Sequence, residues 1–273
     1  MTSTGRLWVV ATPIGNLEDV TLRALRVLRE ADAVLAEDTR RTRILLMRHG
    51  IAVPLRRLDA HRERDSIGRL VDEMRRGRRF ALVSDAGTPL VSDPGGRLVA
   101  AARDAAVPVE VVPGPSAVIA ALVAAALPFH AFRFVGFLPR AGARRRRTLE
   151  RIARSDEATV FFESPRRIAE TLRALAMLLP ADRRVAVCRE LTKVHEQVLV
   201  GDAQRLAERL AHGCRGELTV VVEGGRSDSE SVSDSDSDSG SDSDSDSDSD
   251  SGSDSNSDSD SDSGSVSHSR PGT

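Results

Sequence analysis

Tyrosine is absent from this chain, tryptophan occurs once, at Trp8, and aromatic residues make up only 3%. A surface that reads single-stranded nucleic acid by base stacking needs several exposed rings, so stacking platforms are scarce here. Lysine also occurs once, at Lys193, so the basic character rests on arginine. The two cysteines, Cys188 and Cys214, provide neither a disulfide framework nor the spacing of a metal site. Both read as small buried hydrophobes in a reducing compartment. No apolar run reaches the roughly 18 residues of a membrane span, the alanine-rich stretch Ala117 to Leu127 being too short, and Met1 to Arg6 has no signal-peptide pattern. A soluble cytoplasmic protein with no membrane partner is expected. The G-x-G-x-x-G and P-loop patterns are missing, which removes the usual support for dinucleotide or nucleoside triphosphate binding.

The end of the chain is compositionally distinct. From Ser227 onward the sequence is almost entirely Ser-Asp repeats whose only β-branched apolar residues are Val232 and Val266. Such a segment cannot bury enough apolar surface to offset chain entropy, so residues 225–273 are expected to be a disordered acidic tail. The formal net charge of -2 therefore averages two unlike parts. The tail from Ser227 holds 14 of the 41 acids and 1 of the 39 bases, which leaves 38 bases against 27 acids in the remainder. An excess of that size suits a polyanionic partner.

What is present is a regular alternation of short apolar runs and amphipathic stretches. Leu7 to Ala11, Ala33 to Ala36, Leu55 to Leu58, Phe80 to Val83 and Val107 to Val112 read as strands, with helices between them. Continuous apolar runs of this kind belong to parallel strands buried on both faces. Pro113-Gly114-Pro115 punctuates the chain, and a second set of elements follows, with strands at Phe132 to Phe137, Thr159 to Phe162, Val185 to Cys188, Gln197 to Val200 and Leu218 to Val222. The expected architecture is therefore α/β, with one domain over residues 1–113 and a second over residues 114–224.

The chain is organised around Ser84 to Gly96, a loop directly after a strand that carries three glycines and two prolines. Asp93-Pro94 reads as an N-cap followed by proline at the first helical position. Thr12 to Asn16 and Pro113 to Ala117 are two further loops that follow strands. In an open α/β sheet such loops meet at one edge, where ligands bind. Glu37-Asp38-Thr39-Arg40-Arg41 reads either as a helix cap with solvated arginines or as a site where Arg40 and Arg41 clamp a phosphate. Arg166 and Arg167, after the predicted Ser164-Pro165 cap, invite the same two readings. Arg144 to Arg147 is a cation cluster on a predicted helix, either a solvated face or a contact for an RNA backbone. His61 lies in a polar stretch with Glu63 and Asp65 and has no metal-ligand spacing, nor has His195.

Taken together, Thr12-Pro13-Ile14-Gly15-Asn16, Ala36-Glu37-Asp38-Thr39-Arg40, Ser84-Asp85-Ala86-Gly87-Thr88-Pro89, Pro113-Gly114-Pro115-Ser116-Ala117, Phe162-Glu163-Ser164, Arg189-Glu190-Leu191-Thr192-Lys193 and Gly216-Glu217-Leu218 resemble the small-subunit ribosomal RNA methyltransferases of the tetrapyrrole-methylase-like family. The resemblance spans roughly Leu7 to Gly224. It implies two α/β domains holding S-adenosyl-L-methionine between them, usually in a homodimer. It also implies methylation of the ribose 2′-hydroxyl of a cytidine in the decoding region of 16S rRNA, on the assembled small subunit. Carried over by position, the cofactor is expected near Pro13, Asp85, Thr88, Ser116, Ala117, Phe162, Glu163, Leu191, Leu218 and Thr219. Glu37 and Asp38 are candidate general bases, and Lys193 a candidate for stabilising the developing alkoxide. Arg40, Arg41, Arg43, His61, Arg144, Arg145, Arg166 and Arg167 are the candidate RNA contacts, and no metal is expected. The sequence departs from the family's pattern in having His61-Arg62-Glu63, and in passing from Val222-Glu223-Gly224 into the repeats where relatives often carry a small helical extension. Methylation of a tetrapyrrole and non-catalytic ribosome assembly are the alternative functions on the same fold.

Overall fold

The computed structural model of the chain describes residues 5–58 and 60–225, residues 60–65 by their backbone alone. Of the acidic tail only Gly225 falls within this range, its N–H donating to the Ser155 carbonyl at 2.9 Å; the remainder lies outside the described residues.

Strands β1 (Arg6–Val10), β2 (Ala33–Ala36), β3 (Leu55–Arg57), β4 (Arg79–Val83) and β5 (Val109–Val112) form an all-parallel sheet in the order β3-β2-β4-β1-β5. The uninterrupted apolar runs follow from this, because both faces are covered. Trp8, Val10, Val34, Ala36, Ala81 and Val83 pack with Val27 and Leu28 of α1 (Leu22–Glu30) and Leu46 of α2 (Thr39–Arg48). Leu7, Leu35, Phe80 and Leu82 point the other way, toward Leu70 and Met74 of α3 (Ala60–Arg75) and Leu98 and Ala102 of α4 (Gly96–Asp104). Because the strands are parallel, the loops at residues 11–16, 37–38, 84–95 and 113–116 all leave from the same edge.

The second sheet comprises β6 (Phe132–Phe137), β7 (Ala158–Glu163), β8 (Val185–Arg189), β9 (Gln197–Gly201) and β10 (Leu218–Val222), ordered β6-β7-β10-β8-β9. It is mixed: β6 and β7 are parallel and the other pairs antiparallel. Alternation on β10 sends Val220 and Val222 to a layer formed by α6 (Gly142–Ala153), α7 (Ile168–Ala176) and α8 (Ala203–Arg209). Val221 faces α5 (Ala117–Ala125) on the opposite side, with Val160 and Ala186. Ile14, from the first loop of the parallel sheet, and Leu191, from the second sheet, join this same apolar cluster.

Three local expectations need correction. Asp93-Pro94 does not cap α4, which starts at Gly96 with Gly95 as its N-cap at φ 115°. Gly95 lets the chain turn through the left-handed region, so the helix begins at Gly96 and Asp93 is released from capping. Ser164-Pro165 does not open α7 either; residues 165–167 form a turn, and the Ser164 carbonyl accepts from Arg167 and Ile168. Ser116 occupies the N-cap position of α5 but makes no side-chain capping bond. Cys188 is buried as expected, whereas Cys214 is only partly so.

Candidate active site

The loops that leave the parallel sheet are tied together before they meet any ligand. Thr12 and Gly87 exchange two backbone hydrogen bonds, N–H to O, at 2.9 and 3.0 Å. The Thr88 hydroxyl donates to the Pro115 carbonyl at 3.2 Å, linking the second and third loops. Across the molecule, the Asn16 N–H donates to Thr192 Oγ1 at 3.0 Å, and Gly15 packs so closely on Thr192 and Lys193 that a side chain would not fit there.

These loops and the facing end of the second sheet enclose a cavity of about 360 Å³. Its walls are apolar at Ile14, Val118, Phe162, Cys188, Leu191 and Leu218, with hydroxyls at Thr88, Ser116 and Thr219 and charges at Arg41, Asp85, Asp93 and Glu217. All the positions expected to hold the cofactor line it except Pro13. Phe162 meets Phe134 edge-to-face and Phe137 at a tilt, with ring centroids 5.0 and 5.4 Å away, which fixes that wall. Cys188 is no nucleophile, since burial pushes its thiol up to about 12.

Glu163 lines the cavity, but its carboxylate is turned into the protein. It pairs with Arg167 and Arg145, accepts from the Thr171 hydroxyl at 2.8 Å and from the Ser164 N–H at 2.7 Å, and its side chain has 0% exposure. Arg145 and Arg167 also donate to the carbonyls of Leu138 and Pro139, fastening the β6–α6 loop to this carboxylate. These bonds hold both guanidinium groups against Glu163, that of Arg145 buried and that of Arg167 partly exposed. Within the run of four, Arg145 alone falls on the inward face of α6 with Leu149 and Ile152, while Arg144, Arg146 and Arg147 are exposed. Arg166 is exposed as well, as are Arg40, Arg41 and Arg43 on α2. The His61 side chain lies outside the described residues.

None of the three expected catalytic side chains lines the cavity. Asp38 caps α2 and accepts from its own neighbour Arg40 three times, from the backbone N–H at 2.9 Å, Nε at 3.0 Å and Nη2 at 2.8 Å. Those side-chain bonds, above all, lower its pKa to about 2, so it holds a proton poorly at neutral pH. Lys193 bridges Glu190 at 2.8 Å and Glu217 at 3.0 Å. Burial works against its charge, but the two carboxylates together outweigh that and hold its pKa above the ordinary lysine value. Glu190 itself stands at φ 51°, a left-handed backbone uncommon for a residue other than glycine. Glu37 is half-buried at the end of β2, close enough to Asp93 to raise the latter's pKa.

Asp93 is the residue that sequence reasoning missed. It lines the cavity, and burial, followed by the charge of Glu37, lifts its pKa to about 6; a hydrogen bond with Ser84 opposes the shift and Asp85 adds to it. Asp85 itself accepts from the Asp38 N–H at 3.0 Å and lies 4.0 Å from Arg41. Arg41 also reaches Glu217 at 3.7 Å, so an ionic chain runs from Asp85 through Arg41 and Glu217 to Lys193. Among the described residues, no helix is long and apolar enough to cross a membrane.

Residues 6–207 match the family model of tetrapyrrole (corrin/porphyrin) methylases. The chain is 44% identical over 221 residues to ribosomal RNA small subunit methyltransferase I of Halalkalibacterium halodurans, covering 81% of this chain and 76% of that protein. It is 47% identical over 234 residues to the protein of that name from Mycobacterium tuberculosis, covering 84% and 81%. For the Thermotoga maritima protein the figures are 42% over 224 residues, 81% and 99%, so that relative has almost nothing beyond the matched region. Among solved structures, uroporphyrin-III C-methyltransferase from Thermus thermophilus superposes with a TM-score of 0.58 at 26% identity, over 81% of this chain and 93% of that one. A cobalt precorrin-4 methyltransferase shares the fold at a TM-score of 0.64 and 18% identity, over 80% and 94%. With the motifs, the two sheets and relatives of this similarity in agreement, the chain belongs to the tetrapyrrole methylase family and, within it, to the ribosomal RNA small subunit methyltransferase I group.

Proposed function

We propose that this protein methylates the ribose 2′-hydroxyl of a cytidine in the decoding region of 16S rRNA, acting on the assembled small subunit and using S-adenosyl-L-methionine. The observation that carries this reading is a cavity of suitable chemistry with the exposed guanidinium groups of Arg40, Arg41 and Arg43 on the adjoining helix α2. The relatives named for small-subunit rRNA methylation support it. The donor set fits the cofactor: Ile14, Leu191, Leu218 and Phe162 offer apolar walls for an adenosyl group, Thr88, Ser116 and Thr219 offer hydroxyls, and Asp85 and Glu217 offer negative charge toward its cationic part. When bound, that cofactor supplies an activated methyl group on a sulfonium.

The chain's own contribution is mostly placement. Phosphate contacts from the exposed arginines orient an RNA backbone, and the tied loops hold the cavity rigid, so that a hydroxyl is presented in line with the group it attacks. We read the chain as two domains, 1–113 and 114–224, with the cavity between them, working in the cytoplasm as a homodimer. Support for the homodimer comes from Ile119 and Val123, one turn apart on α5 and 50% and 74% exposed, and from Val111 on the edge strand β5 at 53%. The relatives at 42–47% identity, all named for small-subunit rRNA methylation, weigh against a tetrapyrrole substrate.

The test is transfer of labelled methyl from S-adenosyl-L-methionine to unmethylated small subunits, free 16S rRNA and uroporphyrinogen in parallel. Label in the assembled subunits supports the reading; label in the tetrapyrrole alone refutes it.

A further inference from the structure

Three carboxylates converge where β2 and β4 end: Glu37 after β2, Asp85 just after β4, and Asp93 eight residues further along the same loop. Their surroundings separate their roles. Asp85 is committed, to the Asp38 N–H and to Arg41. Glu37 does not line the cavity, whereas Asp93 does. The groups facing Asp93 are Ser84 and Asp85 from the end of β4 and Glu37 from the end of β2, and Arg41 of α2 lines the same cavity.

The backbone around Asp93 is held in an unusual way. Leu90 and Ser92 both stand at φ 72° and Gly95 at φ 115°, so the loop passes through the left-handed region three times in six residues. For leucine and serine this costs free energy, and such residues persist where the surrounding structure over-determines them. Here the loop has neighbours on two sides. Gly95 lies against Leu82 and Leu90, and Gly136 of β6 lies so close to Ser92 that an added Cβ would sit 3.3 Å from its hydroxyl. The loop thus touches both sheets, Leu82 of the first and Gly136 of the second, with Asp93 on the cavity side.

We propose that Asp93 is the proton acceptor for the hydroxyl that receives the methyl group. The inference rests on the methyl-transfer reading above and deepens it. As the ribose oxygen bonds to the methyl carbon, the carbon–sulfur bond breaks with its electron pair remaining on sulfur, and the hydroxyl proton passes to the Asp93 carboxylate. Asp93 then returns that proton to water when the product leaves. A carboxylate whose neighbours are two further acids accepts a proton more readily than one held by arginine, which is the contrast between Asp93 and Asp38. The elevated pKa of Asp93 agrees with this assignment.

The experiment compares the full-length wild type with Asp93→Asn and Asp93→Glu, following labelled methyl transfer to small subunits from pH 5 to 9, S-adenosylhomocysteine affinity by calorimetry, and the pH dependence of the unfolding midpoint. General-base contributions of about 10²–10⁴-fold set the scale. In the wild type the rate is expected to rise about tenfold per pH unit below pH 6 and then level off. Asp93→Asn loses at least about 100-fold and the acid limb with it, while S-adenosylhomocysteine binds within about twofold of the wild type. Asp93→Glu retains a carboxylate and recovers an acid limb. An Asp93→Asn protein that transfers methyl at the wild-type rate with the same pH profile overturns the assignment, as does one whose loss is matched by a loss of S-adenosylhomocysteine binding. Should the wild type transfer no methyl to subunits, the functional reading fails first and the assignment falls with it.

Discussion

Thr12 and Gly87 exchange both of their backbone hydrogen bonds, at 2.9 and 3.0 Å, although 75 residues of chain separate them. This single bridge joins the loop after β1 to the loop after β4. Gly87 holds φ 77° to make it, and a Cβ there would come within 3.2 Å of the Ile14 side chain. Gly87→Ala therefore forces an L residue into a left-handed position beside a wall of the cavity, and is expected to cost about 1–2 kcal/mol of stability. S-adenosylhomocysteine affinity measured by calorimetry should fall as well, by about tenfold. Unchanged affinity would detach the bridge from the ligand site.

Arg145 and Glu163 form a buried pair whose side chains are 8% and 0% exposed. Removing only this cation leaves the interior carboxylate with Arg167 as its remaining arginine, so Arg145→Ala is predicted to destabilise by about 1.5–3 kcal/mol in denaturant unfolding. Arg144→Ala, one residue earlier and exposed, should stay within about 0.5 kcal/mol. Equal effects at the two positions would remove the distinction drawn between them.

Asp93 carries a stability cost with a defined pH window. Its pKa is raised from 3.8 to about 6 in the folded protein, so the charged form is disfavoured by folding. Well below the ordinary value of 3.8 the carboxyl is protonated in both states and costs nothing; the destabilisation develops as pH rises from 3.8 to about 6 and is complete above that. Asp93→Asn is thus expected to stabilise the protein at pH 8 by about 1–2 kcal/mol once solvent screening is allowed for, and to make little difference at about pH 3.5. Melting curves at the two pH values check the sign, and a variant less stable than wild type at pH 8 would contradict it.

Arg40 and Arg43 are exposed on α2, and Arg40 is 86% exposed even while bound to Asp38. If they meet phosphates, each alanine substitution weakens subunit binding and flattens the plot of log affinity against log salt by about 0.7–0.9. Cofactor affinity should not change. Filter binding over a range of salt concentrations measures this, and an unaltered slope would place the RNA elsewhere.

Much of the architecture could be read from pattern alone. The strand Ala33–Ala36 stands where its apolar run puts it, and Leu7 to Val10 lies inside a parallel sheet because a strand covered on both faces can be apolar throughout. The site was less legible, and for local reasons. Asp93-Pro94 carries a genuine capping signal, but Gly95-Gly96 immediately after it offered a cheaper start for α4. Choosing between them required knowing that Leu82 packs on Gly95, a contact between residues in different elements. Arg145 looks like its three neighbours until it is placed four and seven residues before Leu149 and Ile152, a spacing that puts all three on the buried face of α6. The roles of Asp38 and Lys193 were hidden for a different reason: their charges are spent on Arg40, Glu190 and Glu217, and of these only Arg40 and Glu190 are near in sequence.

The central claim is methyl transfer to a ribose hydroxyl of small-subunit rRNA. Its most direct test is to label unmethylated small subunits with S-adenosyl-L-methionine and the wild-type protein, then hydrolyse the rRNA in alkali. A 2′-O-methyl group removes the internal nucleophile, so the predicted result is label in an alkali-resistant dinucleotide that begins with cytidine. Label released entirely as mononucleotides would place the methyl on a base, and would contradict the account.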